Sequence, residues 1–85
     1  MQVNYAMKLK LSADYIGLDR LLGQVRAACP EDIEVAAFHP PTEARRIPDW
    51  TALHFSRQFG SPDALEALVN ERIARAGLAD RLEPA

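Results

Sequence analysis

An α+β sandwich, one sheet covered on one side by two helices, is the fold this sequence predicts, and three observations predict it. The hydrophobic period changes twice along the chain, from about two residues to about 3.6, as strand patterning gives way to helix patterning. The first change falls within Met7-Lys-Leu-Lys-Leu-Ser-Ala-Asp14-Tyr-Ile-Gly17-Leu18, and the second follows Gly60. Each helical stretch carries a single apolar stripe, so both need the same face of a sheet to bury against. At 85 residues, 48% hydrophobic and 26% charged, the chain is expected to form one domain over 1–85 with a thin core.

The elements follow in order. Tyr5, Met7, Leu9 and Leu11 alternate with other residues, which predicts a first strand over 5–12 with Lys8 and Lys10 on the solvent side. Asp14 suits a helix cap or a turn. A helix is expected over 16–28, burying Leu18, Leu21, Leu22 and Val25, until Pro30 stops it. Ile33, Val35 and Ala37 alternate as a second strand. The segment 39–49, His39-Pro-Pro-Thr-Glu-Ala-Arg-Arg-Ile-Pro-Asp49, reads as a loop or extended hairpin tip, because its prolines cannot donate to a ladder. Long connections of this kind carry function disproportionately.

Trp50 to Phe59 is expected to be the third and longest strand. Its alternation puts Leu53, Phe55 and Phe59 on one face, and Trp50, Ala52, His54 and Ser56 on the other. Ser61-Pro62-Asp63 is a helix start: Ser61 as cap, Pro62 at the first helical position, Asp63 near the positive dipole end. Leu65, Leu68, Val69, Ile73 and Ala76 supply the buried stripe, Arg72 snorkels at its edge, and Gly77-Leu78 fits a Schellman stop. Residues 80–85 are either a short fourth strand around Arg81 and Leu82 or a frayed end. With right-handed crossovers, this order is that of the ferredoxin-like sandwich, βαββα(β), an antiparallel sheet with two helices on one face.

The net charge of −2 argues against nonspecific nucleic-acid binding, which needs a basic face. The outward lysines of the first strand and the outward Ala52, His54 and Ser56 of the third do not make the base-stacking pattern of RNA recognition motifs. The single Cys29 cannot form an internal disulfide and reads as a packed thiol. No apolar run approaches the ~20 residues of a membrane span, and the first residues lack the pattern of a signal peptide, so a cytoplasmic protein is expected. His39 and His54 lack partners at metal-ligand spacing, and no nucleophilic triad is visible around Ser56, His54 and Asp49. Hence no catalytic residues, metal or cofactor are expected, and the chain is read as no enzyme.

Asp14-Tyr-Ile-Gly17-Leu18, between an alternating strand and an amphipathic helix, resembles the Asp-x-x-Gly-Leu turn of ACT domains, ferredoxin-like regulatory modules of amino-acid metabolism. The Ser61-Pro62-Asp63-Ala64-Leu65 start followed by Leu68 is similar to the second helix of small ACT-type proteins, including the acetolactate synthase small regulatory subunit type. The resemblance implies that Asp14 and Gly17 sit where such domains hold a small amino-acid ligand, usually at a dimer interface. The sequence departs from the family in having Ile16 where proline is usual, a long 39–49 segment and a short, polar last strand. A structural role stands beside the ligand role: Asp14 as a cap and Gly17 relieving a tight turn.

The helix-free sheet face is the other lead. It is expected to carry Lys8, Lys10, Glu34, Ala36, Phe38, Trp50, Ala52, His54 and Ser56, less polar than a solvated sheet should be. Alternatively, Phe38 and Trp50 merely cover strand ends. Arg45 and Arg46 in the 39–49 loop suit an anionic partner. The expectation is a regulatory or interaction protein that binds a protein partner through this face and the loop. It is expected to be a homodimer in isolation or part of a larger complex, with an amino-acid sensing module as the alternative.

Overall fold

The computed structural model describes residues 1–43 and 46–85. The chain runs through β1 (Val3–Leu9), a 3-10 turn (Ser12–Gly17), α1 (Leu18–Ala28), β2 (Glu34–Phe38), β3 (Ala52–Arg57), α2 (Pro62–Arg75) and β4 (Leu82–Pro84). The strands form one antiparallel sheet in the order β2-β3-β1-β4. Since β3 is antiparallel to both β1 and β2, those two run in the same direction on either side of it.

Alternation fixes what each face holds. The register sets Tyr5 opposite Phe55, Met7 opposite Leu53, Val35 opposite Phe55 and Leu9 opposite Leu82. All of these side chains but Tyr5, which is partly buried and packs against them, form one buried cluster with Leu21, Leu22 and Val25 of α1 and Leu65, Val69 and Ile73 of α2. Both helices therefore cover the same sheet face, and the other is left free of helices. Phe55 lies at the middle, fully buried, with its ring 6.2 Å from that of Tyr5.

The ends of α2 follow from local chemistry. Ser61 Oγ accepts the Ala64 amide at 3.1 Å, and Pro62 occupies the first turn, where a missing N–H costs nothing. At the far end Gly77 adopts φ +75°, the Gly77 amide donates to the Ala74 carbonyl at 3.1 Å, and the Leu78 amide donates to Ile73 at 3.0 Å. That pair of bonds is the Schellman motif, and the burial of Leu78 seals it.

Other boundaries differ from expectation. β1 ends at Leu9, not at residue 12, and Leu11 is exposed. The helix begins at Leu18 because Ser12–Gly17 first winds through the 3-10 turn. Asp14 therefore lies too early to cap α1: Gly17 holds the cap position, and no side chain closes it. β3 is shorter than β1, and Trp50 and Phe59 lie beyond its ends. Phe59, expected beside Leu53 and Phe55 in the core, is 56% exposed, with the Arg57 guanidinium 4.3 Å above its ring. Residues 82–84 form the fourth strand, anchored by buried Leu82.

Cys29 closes α1 as a buried thiol. Desolvation raises its pKa above 9.0, against the opposing pull of the Arg72 charge. The sign of the linkage follows. Below the unfolded thiol's pKa both states hold the proton; as pH rises past it, the unfolded chain ionises first and stability falls. Urea titrations at about pH 8 and about pH 10 are expected to show a smaller loss of stability for Cys29→Ala than for the wild type. Equal losses would mean that the buried thiol does not contribute to the alkaline limb.

Candidate functional site

The helix-free face is built from alternate residues of all four strands. Register places Ala36, His54 and Ala6 in one row across it, and Phe38, Ala52, Lys8 and Glu83 in the next. Glu34, Ser56 and Asn4 make a third. The middle is paved with alanine, so it is shallow, and its relief comes from Phe38 and His54. Phe38 stands edge-on to the His54 imidazole, centroids 4.6 Å apart, and is 52% exposed. Trp50 precedes Ala52 by two residues and is 49% exposed. Ala52 is buried although no helix covers this face. Lys8 and Glu83 pair at 3.5 Å, an exposed contact contributing less than about 1 kcal/mol. Lys10, expected on this face, lies past the end of β1, where its amide donates to the Arg81 carbonyl at 3.0 Å.

A second feature joins two segments that lie far apart in sequence. The 3-10 turn and the start of α1 face the 39–49 loop across an open cleft of about 480 Å³. Tyr15, Ile16 and Asp19 line one side; Glu43, Arg46 and Ile47 line the other. The Tyr15 ring meets the His39 imidazole edge-on at 5.2 Å, which ties the start of the loop to the turn. Pro48 is buried and holds the other end. The cleft is within the size range of small-molecule sites, apolar on Ile16 and Ile47 and charged on Asp19, Glu43 and Arg46.

The residues suggested by the ACT-like turn lie beside this cleft rather than in its lining. Asp14 Oδ1 is 3.4 Å from Arg81 Nη2, and its Oδ2 is buried with no hydrogen-bond partner among the described residues. The carboxylate thus ties the turn to the segment leading into β4. Gly17 has an ordinary negative φ of −100°, and a Cβ built there meets nothing within 4 Å. Neither a positive φ nor a crowded approach within the chain requires glycine at this position.

Of the docking residues expected from sequence, Phe38 and His54 are brought together on the open face, Trp50 lies exposed just before β3, and Arg46 lines the cleft. Arg45 falls outside the described residues. Sequence reasoning missed Tyr15, Ile16, Asp19 and Ile47 as a group. The available signal was Ile16, an apolar residue out of phase with the α1 stripe, which is 80% exposed. Among the described residues, no helix is long and apolar enough to cross a membrane, and no group of three or more His, Cys, Asp or Glu is placed to hold a metal ion. Compared with protein-family models, curated proteins and solved structures, the chain matches none.

Proposed function

We propose that the chain is a non-catalytic docking module of ferredoxin-like architecture, a cytoplasmic regulatory or interaction protein that binds a protein partner through its helix-free sheet face and the 39–49 loop. The strand order β2-β3-β1-β4, with helices following β1 and β3, supports the architecture. The observation that carries the docking reading is the half-exposed Phe38 ring, edge-on to His54 on a face without helices, with Trp50 half exposed two residues before Ala52. Area sets how much of the surface must take part. Strands about 4.8 Å apart and about 20 Å long give a face of at most about 400 Å². A stable interface covers about 800 Å² on each partner, so the loop has to be part of the contact. In isolation the partner at hand is a second copy. Sedimentation equilibrium is expected to show a reversible homodimer at about 100 μM, consistent with a marginal interface; a monomer at that concentration would restrict the proposal to a different protein.

A second reading is favoured by the cleft. Charges of both signs line it, Asp19 and Glu43 with Arg46, and suit a small zwitterion, which is what an ACT-like amino-acid sensor would take. A thermal-shift panel of amino acids separates the two readings, since a ligand that binds only the folded state raises the Tm. Sensing predicts a rise that is lost in Asp19→Lys, which reverses a charge in the cleft lining. Docking predicts no rise with any amino acid.

A further inference from the structure

The outer edge of β2 is not open. Among the described residues β2 pairs with β3 alone, so one side of it is an edge of the sheet. Arg26, on the last turn of α1, reaches over that edge and donates to the Val35 carbonyl from Nη2 at 2.8 Å and from Nε at 3.3 Å. Since the Val35 carbonyl is spent on Arg26, Val35 directs its backbone groups away from β3. By the alternation of an antiparallel ladder, Ala37 does the same, while Glu34, Ala36 and Phe38 bond inward. Just before the strand, the Ile33 amide is taken by the Pro30 carbonyl at 3.1 Å. The opposite edge, β4, is three residues long and includes Pro84, which has no amide proton.

The edge would otherwise be self-complementary. Two copies of β2 set antiparallel about Ala36 would oppose Val35 of one to Ala37 of the other, and each such pair exchanges two backbone bonds. Half of those bonds end on a Val35 carbonyl. Arg26 occupies that acceptor in both copies, and its guanidinium stands where the second strand would lie. We propose that Arg26 is an autoinhibitory edge guard: it keeps β2 from pairing with β2 of a second copy. The proposal concerns the edge and does not rest on the docking face being correct.

Arg26→Met keeps the aliphatic stem and removes the donors. The variant is expected to form species larger than those of the wild type in sedimentation velocity, with self-association at least about tenfold tighter. Adding Ala37→Pro removes an outward donor without touching the ladder to β3, and is expected to return the variant to wild-type behaviour. Arg26→Met sedimenting like the wild type would overturn the proposal, and so would self-association that Ala37→Pro leaves in place, since the contact would then lie elsewhere. Should Arg26→Met fail to fold, as read by circular dichroism, the wild type decides. Its Arg26 Nε–H is expected to give an ordered, slowly exchanging NMR resonance, and a freely mobile one would refute the guard.

Discussion

Phe55→Ala is expected to cost about 3–5 kcal/mol, enough to remove most of the stability of a domain of this size. The side chain is fully buried in the central pair of strands, opposite Tyr5 on β1 and Val35 on β2, and belongs to the cluster that includes both helices. Truncation removes the ring that every layer touches, and the surrounding β-branched residues and backbone cannot collapse far enough to refill the space. Urea denaturation followed by circular dichroism measures it. A loss under about 1 kcal/mol would mean that the core is not organised around this residue.

Trp50→Ala is expected to weaken partner binding by more than about tenfold, since a buried aromatic anchor contributes at least ~2 kcal/mol to an interface. Trp50 lies outside β3 and is half exposed, so its removal should leave the fold intact. Phe38→Ala should act in the same direction, because Phe38 flanks buried Ala52 on that face. Arg46→Glu reverses a charge on the loop and should weaken a contact that includes it. The dissociation constant of the self-complex, or of a captured partner, gives the readout. An affinity that ignores Trp50, Phe38 and Arg46 together would remove the docking proposal.

The parts of the fold that were legible in the sequence are those set by neighbours along the chain. Ser61 and Pro62 start α2, and Gly77 and Leu78 end it, through bonds made within a few residues. The alternation of Leu53 and Phe55 identifies their buried face without reference to any partner. Strand ends were not legible, because they are set by what lies opposite. Leu11 and Phe59 continue the alternation of their strands, yet Leu9 is the last β1 residue with a β4 partner, and Arg57 already faces Val3 near the start of the chain. Beyond those points there is no strand to pair with, and both side chains turn to solvent.

The candidate site divides in the same way. Phe38 and His54 could be placed on one face by counting along strands. The cleft could not be found so, since it exists only because the 39–49 loop returns to the 3-10 turn, and Tyr15 and His39 give no sign of each other in the sequence. The same holds for Asp14. Its residue type suits a cap or a turn, and the turn is where it lies, but nothing local points to its partner Arg81, near the other end of the sequence.

The placement of β1 has a bearing on how the chain comes off the ribosome. Of the four strands of this sheet β1 is made first, yet it lies inside, and both of its neighbours, β3 and β4, come after α1 and β2 in the chain. When α1 and β2 have emerged, Met7 and Leu9 still have no strand to pair with, and β2 itself waits for β3. No hairpin of the final sheet can close until residues 52–57 have been made, and the far flank of β1 stays bare until Leu82 arrives. Such long-range pairings are slow to form. The nascent chain therefore carries an apolar strand without a mate until β3 has been made.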